Sequence, residues 1–152
     1  MARSRMDLAR TIARVVLGGA LIFAGIGHLT SSRTDFQAQV PDWVGLDKNL
    51  VVILSGLVEI ALGLALIFVR RHRALLGLAA GLFFIAVFPG NISQFIDGDD
   101  AFGLNSDSAR RNRLFFQPVL VAWAWWSTGA LTLVRWRGRT PRSVGSSSAR
   151  ND

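Results

Sequence analysis

The chain contains no cysteine, and its 152 residues include only two histidines. Without thiols it cannot form disulfide relays, use a thiolate nucleophile, ligate an iron–sulfur cluster or build a thiolate zinc site. Any redox chemistry would therefore have to belong to a bound cofactor or a partner protein. We predict no metal site, because one histidine, one glutamate and a few amides in the apolar regions are too few suitable ligands.

Charge is also missing from long stretches of the sequence. Uncharged runs cover residues 15–32, 74–96 and 114–134, and residues 49–69 contain Glu59 as their only charged residue. Each run is close to the roughly 20 residues that a helix needs to cross a hydrocarbon core. Hydrophobic residues make up 51% of the chain, and its mean hydropathy is +0.37. We therefore predict an all-α integral membrane four-helix bundle, with transmembrane helices over about residues 12–30, 50–69, 74–96 and 114–134.

Basic residues are concentrated in alternate connecting segments. If both termini lie on one side of the membrane, the segments on that side hold 12 of the 17 Lys and Arg residues, and two acids. The two loops on the other side hold five basic residues and seven acids. This bias predicts that both termini are cytoplasmic. Because of this bias, we also attribute the net charge of +7 to membrane anchoring and not to binding of a nucleic acid.

The predicted membrane domain covers residues 15–136. It follows a basic cytoplasmic lead-in, residues 1–14, and precedes a Gly/Ser/Arg-rich tail, residues 137–152, that we expect to be disordered and cytoplasmic. A basic start followed by an apolar run is also typical of a signal peptide. Cleavage of such a peptide would leave three helices, and this alternative stays open.

The third apolar run contains the sequence FPGN, residues 88–91. Pro89 removes a backbone donor, and Gly90 can leave helical geometry. We therefore predict that the third helix is broken near Pro89 and that the rest of the span is kinked or irregular. Irregular backbone at membrane depth is tolerated only where it is buried in protein or lines a wet cavity.

Polar side chains recur near the outer end of the predicted bundle, on all four segments. Glu59 is the deepest of them, about nine residues below the outer end of the second segment, and Ser55 shares its helical face. Because neighbouring segments run antiparallel, the outer ends of all four should meet. The candidate pocket residues are His28, Ser55, Glu59, Asn91, Gln94 and Gln117.

Two interpretations of Glu59 remain open. It is either a protonated or hydrogen-bonded contact that holds helices together, or part of a site for a ligand or proton, because ionisable groups within membranes are costly and mark functional sites. A cluster of three tryptophans at residues 123–126 is interpreted as packing surface, with the wall of a cavity as the alternative.

Four motifs resemble the DoxX-like family of bacterial membrane proteins. They are FAGIGHL in the first segment, SGLVEIALGLALI in the second, FPGNI in the third, and a glutamine ahead of the tryptophans of the fourth. The resemblance covers about residues 10–136. It implies a four-helix protein of the bacterial cytoplasmic membrane, some of whose relatives are subunits of a thiosulfate:quinone oxidoreductase or take part in redox maturation. By position, the recurring polar residues of the family correspond to His28, Glu59, Asn91 and Gln117.

Three functional hypotheses follow. The first is an accessory or ligand-binding component of a membrane redox or envelope-stress system, with a quinone or lipid as ligand and redox proteins of the membrane or envelope as partners. The second is a small proton-coupled exporter that uses Glu59. The third is a purely structural bundle. The sequence assigns no catalytic residue, and whether the protein is an enzyme or a homo-oligomer stays open.

Overall fold

A computed structural model describes residues 2–97 and 107–136, and the only regular secondary structure in these ranges is helical. Four long helices are present; two short helical elements connect the first two of them, and a turn connects the next two. The elements are α1 (Ala2–Leu29), α2 (Arg33–Gln37), a 3-10 turn (Asp42–Val44), α3 (Lys48–Phe68), α4 (Arg73–Asp97), α5 (Asp107–Thr128) and α6 (Leu131–Trp136). The predicted tail, residues 137–152, lies outside the described residues.

Three helices of the described residues are long and apolar enough to cross a membrane: Ser4–Leu29, Lys48–Phe68 and Arg73–Ile96. They correspond to the first three predicted segments. Their outward faces carry large exposed apolar side chains, among them Phe23, 81% exposed, and Phe68, 73% exposed. Such faces are unfavourable in water and suit a lipid environment.

The fourth segment differs from the prediction. Its helix α5 ends at Thr128, a turn follows in which Gly129 has a φ of 76°, and α6 is a separate short helix. The predicted fourth helix, over about residues 114–134, is therefore interrupted between Thr128 and Leu131. The first two turns of α5 carry three arginines, so its apolar part is about 15 residues, or roughly 22 Å, which is short of a hydrocarbon core.

The predicted break near Pro89 is also wrong. Helix α4 continues through Pro89 to Asp97. Proline removes only one bond of the helical ladder, and neighbouring elements can hold such a helix together. Gly90 serves packing instead, since a Cβ at this position would collide with the carbonyl oxygen of Gln39. The FPGN sequence therefore lets the connection between α1 and α3 lie directly on α4.

Helices α1 and α3 pack antiparallel through two pairs of glycines. A Cβ on Gly63 would lie 2.5 Å from the carbonyl oxygen of Gly18, and a Cβ on Gly25 would lie 2.6 Å from that of Gly56. Real Cβ atoms do not approach this closely, so both helices require glycine here. We call this contact the glycine seam; it brings the α1 and α3 backbones together at two points about two helical turns apart.

Helices α4 and α5 form the second pair. Gly77 of α4 lies against Thr128 and Gly81 lies against Trp125, so the GxxxG of α4 is a packing surface. The indole N–H of Trp123 donates a hydrogen bond to the Ala13 carbonyl oxygen at 3.0 Å and joins α5 to α1. The two helix pairs enclose a core of buried side chains: Leu17, Leu21, Leu66, Ala80, Phe84 and Ala124.

Candidate functional site

A cavity of about 600 Å³ lies between the two helix pairs, at the end of the bundle where the α1–α3 connection crosses. This volume is within the range of small-molecule sites, roughly 300–1,000 Å³. Its lining is mainly apolar and includes Leu17, Leu21 and Leu120. Five of the six predicted pocket residues also line it: His28, Ser55, Glu59, Asn91 and Gln117.

His28 is held at the α1–α3 contact. It is 7% exposed, and its Nδ1 lies 3.0 Å from Ser55 Oγ and 3.3 Å from the Val52 carbonyl oxygen. The Ser55 hydroxyl also donates to the Val52 carbonyl oxygen, at 3.1 Å. Since the carbonyl can only accept, and the Ser55 proton points to it, Nδ1 carries the ring proton. In a neutral His28, Nε2 is therefore the acceptor.

That acceptor nitrogen faces Glu59. His28 Nε2 lies 3.6 Å from Glu59 Oε2, and Glu59 is only 8% exposed. The Glu59 Oε2 atom is buried and makes no hydrogen bond with any described residue. Desolvation favours a pair with no net charge, in which one titratable proton resides on either Glu59 or His28. Such a pair can present either a donor or an acceptor to a third group in the cavity.

The opposite wall carries two amides. Asn91 Nδ2 donates to Gln117 Oε1 at 3.0 Å, and Gln117 Nε2 donates to the Phe84 carbonyl oxygen. These bonds tie α4 to α5 and fix the orientation of the Gln117 amide. The cavity therefore has a titratable pair on the α1–α3 wall and a neutral amide pair on the α4–α5 wall.

Gln94 is the predicted pocket residue that does not line the cavity. Its Oε1 accepts a hydrogen bond of 3.1 Å from Gln39 Nε2, which fastens the α1–α3 connection to α4. Gln94 is almost fully buried in this position. Its placement indicates a role in closing the end of the bundle.

Comparison with known proteins assigns the chain to a protein family. A family model described as a domain of unknown function, DUF8561, matches residues 17–128. The chain belongs to the DUF8561 family. No curated protein and no solved structure matches the chain. The span that defines the family contains every residue that lines the cavity.

Within this DUF8561 domain, the α1–α3 connection supplies cavity residues that the sequence patterns missed. The Phe36 ring lies against the His28 ring with centroids 3.5 Å apart, and Val40 and Trp43 also line the cavity. The sequence did contain an indication of these cavity residues, because apolar and aromatic residues recur in a connection that is otherwise polar. The tryptophans of α5, in contrast, do not line this cavity: Trp123 and Trp125 pack against α1 and α4.

Proposed function

We propose that this DUF8561 protein is a four-helix integral membrane protein whose cavity binds a lipophilic molecule with a polar head, of the quinone or lipid class. The mainly apolar lining suits a ring or an acyl chain, and the polar groups at its wall suit a carbonyl or hydroxyl. The resemblance to DoxX-like proteins supports the same class of ligand. Under this proposal the protein is an accessory component of a membrane redox or envelope-stress system.

One observation carries the proposal. Glu59 Oε2 is buried at the cavity wall without a hydrogen-bond partner among the described residues, and buried polar atoms are rarely left so. A hydroxyl of a reduced quinone or of a lipid would donate to it. A quinone carbonyl would instead accept a hydrogen bond from whichever of Glu59 and His28 carries the proton. The pair thus matches both redox forms of a quinone.

The proposal includes a topology. Helices α1, α3 and α4 cross the membrane, and α5 with α6 completes a fourth crossing, with both termini in the cytoplasm of a bacterium. The absence of native cysteine makes this directly testable, because an introduced cysteine is the only thiol. We expect Ser31→Cys to react with an impermeant maleimide added outside intact cells, and Ser147→Cys to react only after lysis. The reverse pattern would contradict the topology.

Ligand binding is tested by purifying the protein in a mild detergent, extracting it with organic solvent and identifying quinones and lipids by mass spectrometry. We expect a quinone or lipid at a stoichiometric amount in the wild type and at least tenfold less in Glu59→Gln. Asp7→Asn is the matched control, since it removes an exposed carboxylate at the other end of α1. Equal ligand content in all three proteins would exclude Glu59 from binding.

A second candidate function is proton-coupled export. The buried carboxylate of Glu59 at a cavity wall favours it, because such a group can exchange a proton for a cationic substrate. The test is uptake of a lipophilic cation into proteoliposomes under a pH gradient. A flux that disappears in Glu59→Gln would establish transport, and absence of any Glu59-dependent flux would eliminate it.

A further inference from the structure

A second buried ionisable group, Arg14, lies near the middle of α1, beside the last turn of α3. Arg14 is 4% exposed, and its Nη1 is buried without a hydrogen-bond partner. No carboxylate of the described residues forms an ion pair with it. A guanidinium keeps its charge under ordinary conditions, and an unpaired buried charge is strongly unfavourable.

The surroundings of Arg14 are positive. In the antiparallel glycine seam Gly25 lies opposite Gly56 and Gly18 opposite Gly63, so Arg14 falls beside the end of α3 and the turn into α4. The charges of Arg70 and Arg73 in that region act on Arg14. The acid of the described lead-in, Asp7, is exposed and does not pair with it. These three guanidinium groups therefore have no carboxylate partner among the described residues.

We propose that Arg14, Arg70 and Arg73 form a binding site for a phosphate group, supplied by the headgroup of an anionic phospholipid. Arginine matches the geometry of phosphate oxygens through paired N–H donors. A buried Arg14 would form the floor of the site, and the exposed Arg70 and Arg73 would form its rim.

Neighbouring apolar residues favour a lipid as the source of the phosphate. Val16 of α1 and Phe68 and Val69 at the end of α3 are large and exposed, so acyl chains can lie against them while the headgroup reaches the arginines. Basic pockets between membrane helices on the cytoplasmic side are a known form of anionic-lipid recognition. Arg14 does not line the cavity, although Leu17 one turn further along α1 does, and 14 residues of α1, or about 21 Å, separate Arg14 from His28.

The test measures the melting temperature of the purified protein in a neutral detergent. The probes are dioleoylphosphatidylglycerol, dioleoylphosphatidylcholine and inorganic phosphate. We expect phosphatidylglycerol to raise the melting temperature by roughly 3 °C more than phosphatidylcholine, and this increment to disappear in Arg14→Gln. Without lipid, Arg14→Gln should melt at a higher temperature than the wild type, because it removes the unpaired charge. An arginine that only supports the fold would give the opposite result.

Arg5→Gln is the matched control, because Arg5 is an exposed arginine on the same helix and the charge change is identical. It should keep the increment, as should Glu59→Gln, which separates this site from the proposed cavity function. An increment given by inorganic phosphate alone and lost in Arg14→Gln would support the phosphate site but overturn its assignment to lipid. Equal effects of the two lipids, or an increment retained by Arg14→Gln, would overturn the proposal.

Discussion

The two ends of the α1–α3 pair each contain a buried ionisable group, and they accommodate it in different ways. At the cavity end, buried Glu59 lies 3.6 Å from a histidine whose ring is fixed by the neighbouring helix. At the other end, Arg14 is buried beside further arginines and has no internal counter-ion among the described residues. Glu59 and His28 can form a pair with no net charge when no ligand is bound. Arg14 keeps its charge and requires an anion from outside the described residues. The comparison separates a site that titrates from a site that is permanently charged.

The largest effect should come from the glycine seam that both ends share. A Cβ at Gly18 would lie 2.8 Å from the Gly63 carbonyl oxygen and 2.7 Å from Ile67 Cγ1. We expect Gly18→Val to lower the free energy of unfolding by about 3 kcal/mol and to weaken binding at both ends. Thermal melting with size-exclusion chromatography measures this.

The adjacent Gly19 provides the control for this prediction. A Cβ at Gly19 meets no atom within 4 Å, so Gly19→Val should leave the melting temperature nearly unchanged. Equal destabilisation by the two substitutions would show that the close approach of α1 and α3 does not hold the bundle together.

Removal of the internal partner at the cavity end should have the next largest effect. His28→Ala deletes a buried ring that contacts Ser55, Phe36 and Glu59. We expect a loss of about 2 kcal/mol and faster hydrogen exchange in the α1–α3 connection, because Phe36 loses its support. Arg14→Gln should instead raise the stability of the lipid-free protein, so the two substitutions distinguish the two ends.

The second histidine is the matched control. His72 is exposed in the turn before α4, so His72→Ala should leave both stability and exchange unchanged. If His28→Ala also leaves them unchanged, His28 does not organise the site.

Glu59→Gln should have a smaller effect on stability than on binding. The amide keeps the shape of the side chain and removes its charge, so we expect the free energy of unfolding in ligand-free detergent to change by less than about 1 kcal/mol. The stabilisation by an added short-chain quinone should be lost. Thermal melting with and without the quinone measures both. A large loss of stability with unchanged quinone response would instead identify Glu59 as a contact between helices.

The surface ion pair between the 3-10 helix and the start of α3 should contribute least to stability. Lys48 Nζ lies 2.7 Å from Asp42 Oδ1, and its hydrogen bond and charge lower the pKa of the Asp42 carboxyl from its ordinary value. Because the folded-state pKa is lower than the unfolded one, any stabilisation is present above the unfolded value and is lost as pH falls through the folded value. Both groups are well exposed, so we expect no measurable change for Asp42→Asn at pH 7. A clear shift in melting temperature at pH 7 would contradict this.

The local sequence pattern was sufficient to predict the parts of the fold that depend on composition. Uncharged runs predicted the three long apolar helices, and the antiparallel order of the segments brought His28, Glu59, Asn91 and Gln117 to one cavity. These features follow from helix length and depth alone.

The remaining features depend on contacts between distant residues. Helix α4 passes through Pro89 intact, and Gly90 accommodates the Gln39 carbonyl from a connection about 50 residues earlier. Gln94 binds Gln39 instead of lining the cavity for the same reason. The end of α5 before Gly129 and the contact of Phe36 with His28 also depend on how the connections pack. The local sequence pattern does not contain this information.

The most direct test of the central claim is an experimental density map of the protein purified from its native membrane. We expect an elongated density in the cavity, with its polar end within hydrogen-bond distance of Glu59 Oε2 and its apolar part against Leu21 and Leu120. The same map of Glu59→Gln should show the cavity without this density. A wild-type cavity that holds only water, or that has closed by direct contact of its walls, would contradict the proposal.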